Sequence, residues 1–270
     1  MKNNMTGYKF FRAILSPIYR FWFTPTIIGK ENIPSEGAII LAGNHIHIMD
    51  QCNIIVSTKR LLHYMAKKEY FDNKKVAWFF KTVGCIPVDR SIKDENTKSK
   101  AIEVLKNNHA LGIYPEGTRN KLKDEELKKL YKKYFKDNIT FKKYKKKMKN
   151  NRKTHINYLE ELKDNNIISE EDFINNIFNS NNYLLELVNK KVIKEKDYYN
   201  NSLLPLKYGA VSMAKKTNAL IVPYAIIGEY KFRGKNLKII IGKPFKVSDD
   251  LEKSNIKLSN EIKKLMKNNA

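Results

Sequence analysis

A histidine and an aspartate five positions apart, His45 and Asp50, are the residues of this chain best suited to catalysis. An imidazole changes its charge close to neutral pH, so it can accept a proton from a substrate group as a general base. A buried carboxylate beside it can fix the orientation of the ring and stabilise the imidazolium that forms. Most His and Asp residues at such a spacing are structural, so the pair needs support from elsewhere in the chain.

Three further segments carry groups that suit binding or catalysis. They are, in chain order, Gly84-Cys85-Ile86-Pro87-Val88-Asp89-Arg90, Tyr114-Pro115-Glu116-Gly117-Thr118-Arg119 and Ile221-Val222-Pro223-Tyr224-Ala225. Two of these segments end in an arginine, and a guanidinium recognises phosphate groups through planar, bidentate hydrogen bonds. Each segment taken alone also fits an ion pair or an ordinary turn.

In this order and spacing, the four segments together resemble the glycerolipid acyltransferase family, whose best-known members act on 1-acylglycerol-3-phosphate. The resemblance covers about residues 30 to 120 and 203 to 245. Two neighbouring segments agree with it, Ala66-Lys67-Lys68-Glu69 before the second motif and Leu206-Lys207-Tyr208-Gly209-Ala210 before the fourth. The resemblance implies an α/β fold with a central mixed sheet flanked by helices, similar to that of glycerol-3-phosphate acyltransferase.

The activity that the resemblance implies is acyl transfer from acyl-CoA or acyl carrier protein to the sn-2 hydroxyl of 1-acylglycerol-3-phosphate. The product would be phosphatidic acid, for phospholipid synthesis. A hydroxyl is a weak nucleophile, so His45 would remove its proton during attack on the thioester carbonyl, with Asp50 holding the ring. Direct attack needs no serine or cysteine nucleophile, and we expect no metal ion or other cofactor.

The same resemblance implies further site residues. Arg90, Glu116 and Arg119, together with Thr118, would bind the glycerol phosphate of the acceptor. A separate hypothesis, from the chemistry of the reaction, is that backbone amides near the third motif stabilise the oxyanion, because Gly117 permits close approach. The residues expected to support the site are Asn44, Lys67, Gly84, Lys207 and Pro223.

Two positions depart from the family pattern. The family usually has a serine two positions after the catalytic histidine, and this chain has His47. The family usually has a bulky apolar residue before Val88, and this chain has Pro87. Our hypothesis is that His47 replaces a supporting hydrogen bond and is not the general base.

Apolar runs alternate with helical stretches around the motifs, which is the pattern of an α/β domain with a largely buried sheet. The predicted strands are 38 to 42, 62 to 66, 85 to 88, 110 to 114, 219 to 226 and 236 to 242. The predicted helices are 50 to 58, 72 to 82, 96 to 108, 207 to 216 and 250 to 267.

Residues 121 to 202 interrupt this pattern and are too many for a loop. Thirteen Lys or Arg residues and one acid lie between Lys128 and Lys153, whereas 160 to 202 carry nine acids and five bases. Apolar residues recur there at helical spacing, so we expect a basic, mainly helical insertion. Its basic half is either a solvated face or a contact with anionic lipid. The acyltransferase domain is then discontinuous, comprising 29 to 120 and 203 to 270.

Residues 5 to 23 combine aromatic and aliphatic side chains with three cations and no acid. This composition suits a bilayer interface, although packing on the protein's own core is the alternative. Pro17 is expected to divide the segment into two short helices. From this composition we expect residues 1 to 28 to form amphipathic, membrane-contacting helices. No apolar stretch reaches about 18 residues, so we expect neither a spanning helix nor a secretory signal.

The net charge of +24 attracts anionic partners, but charge alone does not distinguish lipid surfaces, phosphorylated molecules and nucleic acid. The two cysteines, Cys52 and Cys85, lack the spacing of a metal site. No sequence signature of a nucleic-acid-binding domain appears, so we expect no nucleic-acid partner. The expected protein is a peripheral membrane enzyme whose active site faces the cytoplasm, where the thioester donors are. The alternatives are acylation of another lysophospholipid and noncatalytic binding of anionic lipid.

Overall fold

The computed structural model describes residues 6 to 89 and 95 to 268. The chain divides into two compact units, one formed by Met1–Gly117 and Leu206–Ala270 and the other by Thr118–Pro205. The predicted insertion, 121 to 202, falls within the range of the second unit. The first unit holds the sheet, and the second is helical.

The sheet of the first unit has seven strands in the described residues, in the spatial order β1-β7-β6-β2-β5-β3-β4. The strands are β1 (Thr26–Ile28), β2 (Ile39–Gly43), β3 (Leu62–Lys67), β4 (Ile86–Val88), β5 (Ala110–Ile113), β6 (Leu220–Ile227) and β7 (Lys238–Ile241). Neighbours pair in parallel except β6 and β7, which pair antiparallel. The mixed α/β sheet expected from the sequence is therefore confirmed.

Along the sequence, α-helices alternate with the strands of the first unit and make up most of the second unit. In chain order, the α-helices of the described residues are α1 (Thr6–Phe23), α2 (Asp50–Ser57), α3 (Glu69–Asp72), α4 (Lys74–Thr82), α5 (Glu95–Lys106), α6 (Asp124–Tyr134), α7 (Phe141–Lys147), α8 (Lys153–Asp164), α9 (Glu170–Asn176), α10 (Ser180–Asn189), α11 (Glu195–Asn200), α12 (Gly209–Thr217) and α13 (Leu251–Lys267). Short 3-10 turns lie at Lys30–Asn32, Met148–Asn150 and Ile177–Asn179.

The core of the first unit lies around the central strands. All five residues of β2 are buried, as expected for a strand that has parallel neighbours on both sides and is covered on both faces. Gly43 at its end is required by packing, because a Cβ there would lie 2.3 Å from the ring of Tyr224. The chain therefore leaves β2 at a point where the backbone touches an aromatic ring of β6.

The prediction that Pro17 divides the N-terminal segment was wrong, because α1 runs without a break from Thr6 to Phe23. Proline removes one backbone hydrogen bond, but packing on both sides of it can hold a helix together. Tyr8 and Tyr19 are buried on either side of Pro17. Arg20 Nη2 also donates to the carbonyl of Val56 at 2.5 Å, which fixes the second half of α1 against α2. No helix among the described residues is long and apolar enough to cross a membrane.

The second unit has its own apolar core. The side chains of Ile156, Leu159 and Leu162 on α8 are buried, and they recur at the spacing of one helix face. Tyr144 and Phe173 are completely buried as well. The lysines of α7 are exposed, so the charged residues of this segment lie outside the core.

A buried histidine in this core should make the second unit sensitive to acid. His155 is completely buried, and its Nε2 lies 3.1 Å from the hydroxyl of Ser202. That hydroxyl donates to the carbonyl of Tyr198, so it accepts from His155, and Nδ1 is left as a buried acceptor with no partner among the described atoms. Burial, and secondly the charge of Arg152, lower the pKa of His155 well below 6.5.

The second unit is therefore expected to lose about 2 kcal/mol of stability between about pH 7.5 and pH 5. The unfolded chain binds a proton below about pH 6.5, whereas the folded histidine stays neutral, so this stability is complete above that pH and falls below it. Amide hydrogen exchange of α8, corrected for the intrinsic pH dependence, measures the change. His155→Gln keeps a donor for Ser202 and does not titrate, so it should remove this part of the slope. Equal slopes in both proteins would contradict the assignment.

Candidate active site

His45 and Asp50 lie at the edge of the sheet where three parallel strands end. His45 follows the last residue of β2 by two positions, and Asp50 is the first residue of α2. Since β5 and β6 run parallel to β2 on either side, the residues that follow these strands meet at the same edge. The first, third and fourth sequence motifs are brought together in this way.

The two side chains form a hydrogen-bonded pair. His45 Nδ1 lies 2.7 Å from Asp50 Oδ2, and Asp50 is completely buried, while 16% of the His45 side chain is exposed. Because Asp50 engages Nδ1 as an acceptor, Nε2 is the ring nitrogen with a lone pair for a substrate proton. The pair therefore has the geometry of a general base and its orienting group.

Asp50 is surrounded by donors. Besides His45, the backbone N–H groups of Ile46 and His47 donate to Oδ2 at 2.7 and 2.8 Å, and the hydroxyl of Tyr230 donates to Oδ1 at 2.5 Å. A buried carboxylate requires such partners, because an unsatisfied charge in an apolar interior is costly. The loop between β2 and α2 is folded around this carboxylate.

The remaining contacts of His45 come from the third motif. Its ring stacks on Tyr114, with centroids 3.9 Å apart and an interplanar angle of 13°. Its backbone N–H donates to Glu116 Oε1 at 2.6 Å, and Glu116 is itself buried. Both the ring and the backbone of His45 are thus held by residues that follow β5.

His47, the residue that departs from the family pattern, lies on the other side of Asp50. Its ring stacks on Tyr230, with centroids 4.1 Å apart, and its Nδ1 accepts from the backbone N–H of Met49 at 3.3 Å. The backbone N–H of His47 donates to Asp50 Oδ2 at 2.8 Å. That His47 is not the general base stays a prediction.

Three residues of this site escaped the sequence-based predictions: Tyr230, Asn53 and Tyr19. The hydroxyl of Tyr230 accepts from Asn53 Nδ2 at 2.5 Å, and Asn53 Oδ1 accepts from the hydroxyl of Tyr19 at 2.5 Å. Burial, and secondly nearby negative charge, raise the pKa of Tyr230 far above its usual value, so it stays a neutral donor. Of the three, only Asn53 could have been placed near Asp50 from the sequence, because it lies one turn later on the same helix, α2.

The predicted binding residues of the third motif are divided between the units. Gly117 has a φ of +71°, which favours glycine, and a Cβ there would lie 2.8 Å from Cε of Lys207. Lys207 also donates its backbone N–H to the carbonyl of Pro115 at 2.8 Å, so the lysine covers this turn. Thr118 and Arg119 are exposed residues of the second unit. Arg90 lies outside the described residues.

The supporting residues hold the framework of the sheet. Asn44 donates to the carbonyl of Ile226 at 2.8 Å and accepts from its N–H at 2.7 Å, which joins the ends of β2 and β6. Pro223 accepts from the N–H of Gly242 at 2.8 Å. Gly84, with a φ of +70°, presents its carbonyl 2.8 Å from Nδ1 of His63. Lys67 is exposed at the end of β3, where its Nζ lies 3.9 Å from Glu69.

An apolar cavity of about 460 Å³ lies beside α2 in the first unit. It is lined by α1, α2, β3 and α4, including the two cysteines Cys52 and Cys85. Burial raises the pKa of the Cys52 thiol to about 11 and that of Cys85 to about 12. Both thiols are therefore protonated at neutral pH and poor nucleophiles.

The described residues contain no group of three or more His, Cys, Asp or Glu side chains that could hold a metal ion. The site consists of a base, its carboxylate and neutral donors. Such groups can remove a proton from a hydroxyl and can support the attack of that hydroxyl on a carbonyl carbon.

Comparison with known proteins agrees with this geometry. A family model described as Acyltransferase matches residues 24–227. A 1-acyl-sn-glycerol-3-phosphate acyltransferase of Bacillus subtilis is 34% identical over 113 residues, which cover 42% of this chain and 57% of the relative. One of Borreliella burgdorferi is 35% identical over 97 residues, covering 35% of this chain and 39% of the relative. The matched stretches thus span less than two thirds of either relative.

The fold has a counterpart of known structure. The crystal structure of the 1-acyl-sn-glycerophosphate acyltransferase PlsC from Thermotoga maritima superposes with a TM-score of 0.57 at 16% identity, covering 99% of this chain and 83% of that one. At this identity the likeness shows a shared fold. The family model covers well over half of the sequence, including the residues that form the His45–Asp50 pair, and the chain therefore belongs to the acyltransferase family.

Proposed function

We propose that this chain transfers an acyl group from a thioester to the sn-2 hydroxyl of 1-acylglycerol-3-phosphate, which yields phosphatidic acid for phospholipid synthesis. The observation that carries the proposal is the pair formed by His45 and the buried Asp50, joined at 2.7 Å. The names of the two similar bacterial proteins support the choice of acceptor. The donor is acyl-CoA or acyl carrier protein.

The reaction needs one base and no covalent enzyme intermediate. His45 Nε2 takes the hydroxyl proton while the hydroxyl oxygen forms a bond to the thioester carbonyl carbon. Collapse of the tetrahedral intermediate breaks the carbon–sulfur bond, and the imidazolium returns the proton to the departing thiolate. Asp50 stabilises the imidazolium in between. We assign stabilisation of the oxyanion to backbone amides near Gly117, beside the Lys207 side chain that lies against this glycine.

We assign the phosphate of the acceptor to Arg119 and Arg90, with Thr118 beside them. Glu116 belongs to this part of the site through the backbone N–H of His45, from which it accepts a hydrogen bond at 2.6 Å. Arg119 has no acidic partner among residues 6 to 89 and 95 to 268. Burial, and then the charges of Arg119 and Lys149, lower the pKa of Lys121, which indicates that cations are concentrated here. A doubly charged phosphate is the ligand that suits such a cluster.

We assign the binding of acyl chains and the contact with the bilayer to apolar surfaces of the first unit. The 460 Å³ cavity beside α2 is of the size and polarity that suit a hydrocarbon chain. On α1, the rings of Phe10, Phe21 and Trp22 are at least half exposed, which favours contact with a membrane interface. We assign residues 1 to 28 to membrane contact, 29 to 120 with 203 to 270 to the acyltransferase domain, and 121 to 202 to a basic insertion.

The exposed lysines of α7 add a second surface for anionic lipid, at about 1 kcal/mol for each lysine near the membrane. The enzyme is then peripheral, with its site on the cytoplasmic side, where both thioester donors occur. Acylation of another lysophospholipid is the second candidate, because the base and its carboxylate act on the hydroxyl and not on the headgroup.

One assay tests the proposal. The purified chain is offered 1-acylglycerol-3-phosphate, or lysolipids with choline or ethanolamine headgroups, on anionic vesicles with acyl-CoA or acyl carrier protein, and products are identified by mass spectrometry. Phosphatidic acid as the main product supports the proposal, and a different diacyl lipid supports the second candidate. A folded chain that binds the vesicles and yields no product with any pair would indicate noncatalytic lipid binding. His45→Ala serves as the inactive control.

A further inference from the structure

The two oxygens of the Asp50 carboxylate have different partners. Oδ2 accepts hydrogen bonds from the His45 ring and from the backbone N–H groups of Ile46 and His47. Oδ1 accepts a hydrogen bond from the hydroxyl of Tyr230 at 2.5 Å. The three donors to Oδ2 come from within five residues of Asp50, whereas the Tyr230 hydroxyl on Oδ1 comes from 180 residues away in the chain. Because the carboxylate is held at both oxygens, the Tyr230 hydroxyl on Oδ1 contributes to the direction in which Oδ2 faces His45.

Tyr230 is in turn held by a chain of hydrogen bonds that leads to α1. Its single hydroxyl proton goes to Asp50, so it can only accept from Asn53, whose amide nitrogen must therefore face it at 2.5 Å. The amide oxygen of Asn53 then accepts from the hydroxyl of Tyr19, also at 2.5 Å. All three donors point towards the carboxylate, and such a chain polarises each of its members.

Aromatic packing follows the same path. The ring of Tyr230 lies between His47, stacked at 4.1 Å, and Phe23 of α1, edge-on at 5.5 Å. Further along the same loop, the N–H of Arg233 donates to the carbonyl of Trp22 at 2.6 Å, and the ring of Phe232 meets that of Trp22 at 5.0 Å. The loop that carries Tyr230 is thus fastened to the last turn of the helix whose exposed face we assign to the membrane.

We propose that Tyr230 is a positioning residue that orients Asp50 towards His45, and that Asn53 and Tyr19 tie its hydroxyl to α1, so that the placement of this helix sets the competence of the pair. The inference rests on the proposed acyl transfer, since it concerns the same base. It assigns to α1 a role in turnover as well as in membrane contact.

The test is a double-mutant cycle on the two hydroxyl groups. Tyr230→Phe and Tyr19→Phe each remove one hydroxyl and keep the ring, and Tyr144→Phe is the matched control, because Tyr144 is a buried tyrosine of the second unit whose hydroxyl has no partner among the described atoms. For each variant, kcat, KM and the melting temperature are measured, together with the far-downfield proton resonance of the His45–Asp50 hydrogen bond.

Tyr230→Phe is expected to lower kcat about tenfold, the effect of losing one hydrogen bond to a charged group, with KM unchanged. Tyr19→Phe is expected to lower kcat severalfold, and the double variant to be no slower than Tyr230→Phe, because the hydroxyls act in series. The downfield resonance should move in both single variants and stay in place in Tyr144→Phe.

Two results would overturn the inference. One is a wild-type level of kcat in Tyr230→Phe with the resonance unmoved, which would make the network structural only. The other is a double variant whose loss is the product of the two single losses, which would show that Tyr19 does not act through Tyr230. If the wild-type chain itself transfers no acyl group, the proposed function fails, whereas the resonance still reports whether the hydroxyls orient the pair.

Discussion

Replacing His45 with alanine is expected to lower kcat for acyl transfer by about 10²–10⁴-fold, the usual contribution of a general base. The geometry gives the reason, because Asp50 fixes Nδ1 at 2.7 Å and Nε2 is the nitrogen left to take the hydroxyl proton. The fold should survive the change, since the carboxylate keeps the two backbone donors and the hydroxyl of Tyr230. Steady-state rates on vesicles, with circular dichroism as the check on folding, measure the effect.

His47→Ala is the matched control for this prediction. It removes a second imidazole from the same loop, only two residues away, and loses the stack on Tyr230. Most of the activity should remain, because the hydrogen bond between Asp50 and the His47 backbone does not need the ring. Should His45→Ala keep most of the activity while His47→Ala loses it, the two assignments must be exchanged.

Asp50→Asn is expected to lower kcat about 10³-fold or more, although the two side chains have nearly the same shape. An asparagine that turns its amide nitrogen towards His45 donates to Nδ1, and the proton then moves to Nε2, which can no longer act as a base. If the asparagine instead points its oxygen towards His45, its NH₂ group faces the hydroxyl of Tyr230, which is also a donor. Either orientation leaves a buried donor or acceptor badly paired, at about 1–3 kcal/mol.

The activity loss must therefore be separated from a loss of folded protein. Kinetics on the folded fraction, with the melting temperature of each variant, separate the two effects. Asp249→Asn is the control, because Asp249 is an exposed carboxylate whose neighbour Lys215 lies 3.5 Å away. Activity of Asp50→Asn within a few-fold of the wild type would show that the carboxylate does not control the tautomer of His45.

The sheet could be predicted from the sequence wherever a strand is a run of buried apolar residues. The prediction of 38 to 42 came within one residue of β2 (Ile39–Gly43), because both faces of this strand are covered and its side chains read as one apolar run. Strand β1 (Thr26–Ile28) could not be predicted, since it has only three residues and an exposed first and last position. Its place in the sheet is set by pairing with β7, far away in sequence.

The site could be predicted only in part, for a similar reason. His45 and Asp50 are five residues apart, so their pairing depends on one loop between a strand and a helix. Tyr230 is 180 residues from Asp50 in the chain, and only the parallel pairing of β2 with β6 brings the two together. The unbroken α1 was mispredicted because the cost of Pro17 is local, whereas the packing of Tyr8 and Tyr19 that offsets it is tertiary.

The cavity beside α2 gives this chain a pair of built-in chemical probes. Cys52 and Cys85 are its two cysteines, and both line that cavity. Their raised pKa values keep both thiols protonated at neutral pH, so an alkylating reagent reacts with them slowly there. In alkaline solution the reaction is faster, because more of each thiol is ionised. A hydrocarbon chain lying in the cavity would shield both thiols at once. The rate of alkylation thus reports occupancy in the natural sequence, with no label to introduce and no residue to change.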